Sequence, residues 1–388
     1  MSSPRILIVH DSFAIMGGAE RVLVRVARVA HQYARLSLLL VFNRAKAVDA
    51  LQAGLFDDIL ELDAPAEFSP ASLVEQWRSR GRFRQALAQV GPAASIAFSY
   101  PAAVRLALAR TALDGPTFWV CQEDVDSLLS RRLKWRRRLA FSALLKARTR
   151  IVCLNQDSIE RFIALGFPAT DLVLIPNSPT PDQGGIAGDV PEGECVSLRR
   201  RHSIPQADLV AVCVAHLNPV KRHDLLLEAV ERARSAGTNV VLVCVGAEFP
   251  GFAEHASRLR ELTASRGLTN HVLWVGGRDE VREFLALADI AVLASDHEVS
   301  PTFLLEAAAA GLPLLGSDAP GVRELIHHGE TGLLFGAGDA SACADAMIQL
   351  AQHPEQRLRL GQAAQTRARA SAGAMERGWE TLFASVLR

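Results

Sequence analysis

The sequence has no apolar run approaching the roughly 20 residues needed to cross a bilayer. Its opening, MSSPRILIVHDS, offers only ILIV where a secretory h-region would need a longer core. It has no charge excess either: 42 Lys plus Arg balance 42 Asp plus Glu, so no nucleic-acid partner is expected. None of its six cysteines forms C-x-x-C or any metal-ligand spacing. Cys121, Cys153, Cys213 and Cys244 lie in or beside short apolar runs and are expected to be buried free thiols in a reducing compartment. G-x-G-x-x-G is missing, which sets aside a nicotinamide-dependent oxidoreductase. These absences predict a cytoplasmic protein.

What the sequence has is alternation. Its 388 residues exceed one ordinary core and predict two domains. RILIVHD, SLLLVF, SIAFSY, TFWVCQ and RIVCLN read as strands that are apolar on both faces, as parallel strands covered by helices must be. Helical spacing lies between them, beginning with GGAERVLVRVARVAHQY. From Pro176 the chain turns rich in Pro, Gly and acidic residues, PNSPTPDQGGIAGDVPEGECVSLRRR, and reads as a linker over 178–204. Alternation then restarts with LVAVCVAHL, VVLVCVG, HVLWVGG and DIAVLAS. The expected organisation is α/β throughout: a doubly wound domain over 1–177 and a second over 205–372. In such sheets ligands bind beyond the carboxyl ends of the strands, so function is sought in the strand-to-helix loops.

Four loops carry candidate chemistry. Gly17 and Gly18 follow the first strand, where glycine lets backbone approach a ligand at a helix start. Lys221 and Arg222 precede a helix beginning near Asp224, a place where cations oppose the macrodipole unless an anion binds between them. In HEVSPTFLLEAAAAGLPLL, Pro301 suits a first helical turn, Ser300 is the expected N-cap, and Thr302 and Phe303 supply N–H groups. Glu298 precedes that helix and Glu306 lies about a turn and a half inside it, with Gly311 closing it. Two carboxylates flanking an anion-binding helix start fit the hydroxyls on either side of a diphosphate, the layout of a nucleotide-sugar. The fourth loop, GSDAPGVRELIHHGETGLLF, places Gly321 at a tight turn beside Glu324.

Together these residues resemble the family-4 retaining glycosyltransferases (glycosyl transferases group 1). That family has the GT-B fold, two Rossmann-like doubly wound domains facing across a cleft. The resemblance rests on E-x7-E, here Glu298 to Glu306, within SDHEVSPTFLLEAAAAGLPLLGSDAPGVRELIHHGETGLLF, and on GGAERVLVRVA, AHLNPVKRHDLLLEAV and LIPNSPT. It implies transfer of a hexose, with retention, from a UDP- or GDP-sugar to a glycan, a lipid-linked glycan or another acceptor hydroxyl, with no metal. It assigns Glu298 to the donor sugar's hydroxyls, Glu306 to the ribose and Lys221 to the departing diphosphate. Gly17, Gly18, His216, Arg222, Ser300, Thr302 and Phe303 complete the donor contacts. It also implies that the last helix, within 373–388, packs back on the first domain.

The sequence departs from the family at Ala215-His216, where the family usually has Gly-Arg. His216 is shorter than arginine and charged only part of the time near neutrality. In place of the family's acceptor-side histidine stands FWVCQEDVD, whose Glu123 is the candidate to orient or deprotonate the acceptor. Asp124 and Asp126 there make a D-x-D, expected to be coincidental. RRLKWRRRLAFSALLKARTR, residues 131–150, carries nine cations and no acid. It suits either an anionic membrane surface, making the protein peripheral at the inner face, or packing on the first sheet. Two other functions compete: glycoside hydrolysis by Glu298 and Glu306, which would leave the phosphate-binding features unused, and a catalytically weak or inactive nucleotide-sugar-binding scaffold.

Overall fold

The structure, a computed structural model, describes residues 3–12, 17–43, 54–62, 73–130, 134–179, 193–206, 208–249, 251–278 and 281–387. It forms two compact units, one of Met1–Asn177 with Ala374–Arg388 and the other of Ser178–Gly373.

In the first unit β1 (Arg5–Ser12), β2 (Arg35–Asn43), β3 (Asp58–Glu61), β4 (Ala94–Ala97), β5 (Thr117–Cys121), β6 (Arg150–Cys153) and β7 (Leu172–Leu174) form one sheet. Their order is β3-β2-β1-β4-β5-β6-β7 and every pairing is parallel. Ile6, Leu7, Ile8 and Val9 are all fully buried although they point alternately to both faces, because helices cover both sides. The edge strands β3 and β7 were not foreseen: DILE and LVL are half-exposed and too short to stand out from loop.

The helix Ala374–Val386 belongs to this unit. Its Glu376 pairs with Arg25 of the helix Gly18–Ala30 (Oε1 to Nη2, 2.6 Å), and Trp379 and Phe383 are buried. Gly378 lies so close to the chain that a Cβ there would come within 2.9 Å of Ile175 Cγ2.

In the second unit β8 (Leu209–Val214), β9 (Val240–Val245), β10 (Val272–Gly276), β11 (Ile290–Leu293), β12 (Leu314–Ser317) and β13 (Gly332–Phe335) run parallel in the order β10-β9-β8-β11-β12-β13. The expected linker is only partly a linker, since a helix spans Glu194–Arg201 within it. Leu198 is buried there, and Arg199 donates to the Leu287 carbonyl (2.9 Å) and to Asp289 Oδ2 (2.8 Å). An arginine-rich stretch reads as solvated in sequence. Here one arginine is buried because a carboxylate and three carbonyls between them engage all three of its side-chain nitrogens. Residues 180–192 of the linker and Arg131–Leu133 of the basic segment lie outside the described residues. The helix Lys134–Lys146 packs Phe141 and Leu144 into the first core, which gives its apolar positions an internal use. Among the described residues no helix is long and apolar enough to cross a membrane.

Strand order reverses direction between β1 and β4 in one unit and between β8 and β11 in the other. Each reversal opens a crevice at the carboxyl edge of its sheet, where an α/β unit binds ligands.

Candidate functional site

The loops after β8 and β11 meet at the second unit's crevice. The turn Pro219–Lys221 is fastened to the β11 loop by the Asp296 N–H, which donates to the Val220 carbonyl (2.9 Å). Lys221 Nζ lies 2.5 Å from Glu298 Oε1, and the Ser295 hydroxyl donates to the same oxygen at 2.7 Å. Ser295 is itself fixed, its carbonyl accepting from the fully buried Ser317 hydroxyl at 2.6 Å. The Glu298 side chain is only about a tenth exposed, so this charge-assisted contact is more than a solvated surface pair.

Arg222 adopts left-handed backbone (φ 50°, ψ 44°), a conformation that costs a non-glycine residue about 1–3 kcal/mol. Its guanidinium is held by Asp224 (3.1 Å) and Asp296 (3.0 Å). Two carboxylates thus engage the Arg222 charge at the turn that presents Lys221.

The helix after β11 spans Thr302–Ala309, and its N-cap is Pro301, with no side-chain cap bond. Ser300 is thus one residue too early to cap the helix, because Pro301 keeps extended ψ (102°) and the helix starts after it. The first-turn N–H groups of Thr302 and Phe303 have no upstream helical carbonyl, which makes this end an anion acceptor. Glu306 is 9% exposed on this helix. The helix closes at Ala310, with Gly311 at φ +81° as expected for a C′ glycine. Gly321 seals the loop from the other side. Its N–H donates to the Glu298 carbonyl (3.0 Å), and a Cβ would lie 2.3 Å from the Val299 oxygen. The structure thus brings Lys221, Glu298 and the start of the Thr302 helix together. His216 lies on the β9 side, its ring 5.7 Å from that of Phe249.

The first unit has its own polar cluster at the β1/β4 crevice. Ser99 caps the helix Tyr100–Leu108 by accepting from Ala102 N–H, and it also hydrogen-bonds Asp11. The next residue's N–H, that of Tyr100, donates to Glu123 Oε1 at 2.8 Å. The consecutive residues Ser99 and Tyr100 therefore hold two carboxyls, Asp11 from β1 and Glu123 from the loop after β5. Burial pushes the Glu123 carboxyl up to about 7; the Tyr100 N–H opposes that rise and the Asp11 charge adds to it. Burial also raises Asp11, against the Ser99 hydrogen bond and the charges of His10 and Arg105. Among the described residues Glu123 Oε2 and Gln122 Nε2 are buried without hydrogen-bond partners.

Gly17 is the N-cap of the helix Gly18–Ala30, and its N–H donates to Glu20 Oε2 (2.9 Å). That N–H is thus spent inside the protein. His10 meets Glu20 at 3.3 Å. Burial works to raise the Glu20 carboxyl, but the His10 contact and two backbone N–H groups outweigh it and keep the pKa low. The D-x-D aspartates have separate uses. Asp124 accepts from Ser127 N–H (2.7 Å) at the start of a helix, and Asp126 pairs with Arg161. Among the described residues no group of three His, Cys, Asp or Glu could hold a metal.

Sequence reading missed Ser295, Asp296, Asp11, Ser99 and Tyr100. The first three were within reach, since each stands at the carboxyl end of a strand beside a switch point. The backbone role of Tyr100 has no sequence signal.

Known proteins match this architecture. The glycosyl transferases group 1 family matches residues 197–367. N-acetyl-alpha-D-glucosaminyl L-malate synthase of Bacillus anthracis is 29% identical over 202 residues, 50% of each chain. The GDP-mannose-dependent alpha-(1-6)-phosphatidylinositol monomannoside mannosyltransferase of Mycobacterium tuberculosis is 29% identical over 212 residues, 52% of each chain. The chain therefore spans about half the length of these curated relatives in alignment. The crystal structure of Anabaena Alr3699/HepE in complex with UDP and glucose superposes with a TM-score of 0.81 at 19% identity, covering 99% of both chains. The chain has the GT-B fold, and residues 197–367, within its second unit, match the glycosyl transferases group 1 family.

Proposed function

We propose that the protein is a retaining glycosyltransferase that moves a hexose from a nucleoside diphosphate sugar to the hydroxyl of a glycan or lipid-linked acceptor. The observation that carries this reading is the Lys221–Glu298 contact at the β8/β11 switch point, beside the start of the Thr302–Ala309 helix. A cation, an oriented carboxylate and helix N–H groups at one crevice suit a ligand with a charged diphosphate joined to a polyhydroxyl ring.

In the reaction the bond between the anomeric carbon and the β-phosphate oxygen breaks, and the acceptor oxygen bonds to that carbon on the same face. Negative charge grows on the departing diphosphate. Lys221 and the N–H groups of Thr302 and Phe303 are fixed before it forms and so lower the barrier. Glu298 orients the sugar by accepting from its hydroxyls, and Glu306 does the same for the ribose. Glu123, with a pKa near 7, is the candidate to take the acceptor's proton. No step requires a metal. The Bacillus anthracis and Mycobacterium tuberculosis relatives support transfer of a sugar to a small or lipid acceptor, and the HepE complex supports a uridine diphosphate donor.

The substitution of Ala215-His216 for Gly-Arg favours one alternative, a nucleotide-sugar-binding scaffold of weak or absent activity. A thermal-shift panel of UDP, GDP, ADP and their hexose conjugates tests both readings. Stabilisation by one nucleotide series, abolished in Glu306→Ala and Lys221→Ala, is the expected result. Ligand binding without release of nucleoside diphosphate from any sugar conjugate favours the scaffold, and no stabilisation by any compound removes both.

A further inference from the structure

Asp11, near the carboxyl end of β1, carries a carboxyl that the transfer steps above leave unused. Ser99 hydrogen-bonds it, and the charges of His10 and Arg105 reach it. These neighbours are themselves fixed. The Ser99 Oγ accepts from the Ala102 N–H at 3.3 Å, which leaves its own proton for Asp11. Arg105 Nη1 donates to the Ser79 Oγ (3.5 Å) on the helix Leu73–Val90, and His10 meets Glu20. The next residue, Tyr100, gives its N–H to Glu123 Oε1 at 2.8 Å. Its ring packs against Trp119 and Phe141, with centroids 5.8 and 5.9 Å away. Two consecutive residues, one locked by a cap and the other by aromatic packing, thus hold two carboxyls at one helix start. Each carboxyl keeps one oxygen, Asp11 Oδ1 and Glu123 Oε2, buried without a hydrogen-bond partner among the described residues. Leaving such atoms open costs stability, which calls for a use beyond folding.

The surroundings divide the pair. Asp11 has a hydroxyl donor and two basic side chains, and all three favour its charged form. Glu123 receives only backbone N–H groups, from Tyr100, Gln122 and its own residue, and it feels the Asp11 charge. Its other neighbours offset none of that charge: Asp124 accepts from the Ser127 N–H, and the Cys121 thiol donates to the Glu123 carbonyl (3.3 Å). The start of the helix Tyr100–Leu108 favours charge on both carboxyls alike and so does not separate them. Two carboxyls at one site do not both ionise freely, so the better-served Asp11 takes the charge and Glu123 keeps the proton longer. We propose that Asp11 is a positioning residue for transfer: held by Ser99 as a fixed negative charge, it makes Glu123 the carboxyl that exchanges a proton with the acceptor. This inference rests on the reading of Glu123 as the acceptor's base. In that step the acceptor oxygen passes one proton to Glu123 as it bonds to the anomeric carbon, and the diphosphate leaves with the electron pair. Asp11 acts through Glu123 and neither gives nor takes that proton.

The experiment is a carboxyl NMR titration of the full-length protein carrying isotope-labelled glutamate, with Glu123→Gln identifying the signal. It is run on wild type, Asp11→Asn, Asp11→Ala and Asp11→Glu, with melting curves confirming the fold of each. The same four proteins give pH–rate profiles for UDP release from UDP-glucose with water as the acceptor. Glu123 should titrate near pH 7 in wild type and about one pH unit lower in Asp11→Asn, which keeps a partner for Ser99 but not the charge. Asp11→Ala should move the midpoint the same way, and Asp11→Glu, which restores the charge, should return it toward wild type. The acid limb of the rate profile should follow the midpoint in each variant. A merely structural Asp11 would leave Asp11→Asn titrating as wild type, so an unmoved midpoint in both Asp11→Asn and Asp11→Ala overturns the proposal. A wild-type Glu123 that titrates near the ordinary 4.5 overturns it as well. A midpoint that moves while the rate limb stays overturns Glu123 as the acceptor's base, and with it the part of Asp11 in transfer.

Discussion

Lys221 and Glu298, 77 residues apart in sequence, meet at 2.5 Å across the second unit's switch point. Each orients the other. The lysine is drawn off its flexible stem onto one carboxylate oxygen, and Ser295 fixes that oxygen from the other side. The two residues therefore behave as one unit, and removing either leaves a poorly solvated charge behind.

Lys221→Met should lower stability by about 1–3 kcal/mol, because Glu298 keeps its charge and loses its cation. Glu298→Gln should cost less, since Lys221 is the more exposed partner. The double substitution should melt above Lys221→Met. Thermal denaturation of the four proteins measures the coupling, and strict additivity would show that the contact carries no energy.

Gly321→Ala should disturb the site through backbone alone. The new Cβ would stand 2.3 Å from the Val299 oxygen and 2.7 Å from the Glu298 oxygen, so the loop carrying Glu298 must move. The expected stability loss is about 1–3 kcal/mol. Transfer activity should fall further than the melting temperature suggests, and a variant that melts lower but keeps wild-type activity would argue against placing Glu298 at the sugar.

Glu123→Gln tests the raised carboxyl. Its folded pKa, about 7, exceeds the unfolded value near 4.5, so the stability it contributes is complete below pH 4.5 and is lost as pH rises through 7. Wild type and Glu123→Gln should therefore melt alike in acid, and the variant should melt higher above neutrality. If Glu123 takes the acceptor proton, the variant should also lose the acid limb of the pH–rate profile near pH 7. A profile that keeps that limb assigns the proton to another group.

His223 gives the opposite sign. It is fully buried against Trp274, and among the described residues neither ring nitrogen has a hydrogen-bond partner. Burial, then the charges of His255 and Lys221, pushes its pKa down to about 3. The unfolded chain binds a proton there below pH 6.5 while the folded protein does not, so stability falls as pH drops from 6.5 toward 3. His223→Phe should remove that loss, narrowing the gap between melting temperatures at pH 5 and pH 8. An unchanged gap would show that His223 does not titrate in this way.

The sequence carried the periodic part of the fold well. Strands such as RILIV and VVLVCV are apolar on both faces, and the loops after them hold Lys221, Glu298 and Gly321 at readable positions. Ser300 was misread because Ser-Pro is a familiar helix start, whereas the extended Pro301 delays the helix by one residue. The surroundings of Arg222 and Arg199 were harder, since sequence shows a charge but not the carboxylates that fold onto it from 74 or more residues away, Asp296 and Asp289. The Glu123 carboxyl is held by a backbone N–H from another loop, a contact no residue pattern encodes.

The central claim, that Lys221 serves the diphosphate and Glu298 the sugar, is tested most directly by titrating a nucleoside diphosphate and its hexose conjugate into wild type, Lys221→Ala and Glu298→Gln. The account predicts that wild type binds the conjugate more tightly than the bare nucleotide. Lys221→Ala should weaken both, and Glu298→Gln should leave the nucleotide's affinity nearly intact while erasing the conjugate's advantage. Wild-type affinity for both ligands in Lys221→Ala, or a preserved sugar preference in Glu298→Gln, would contradict it.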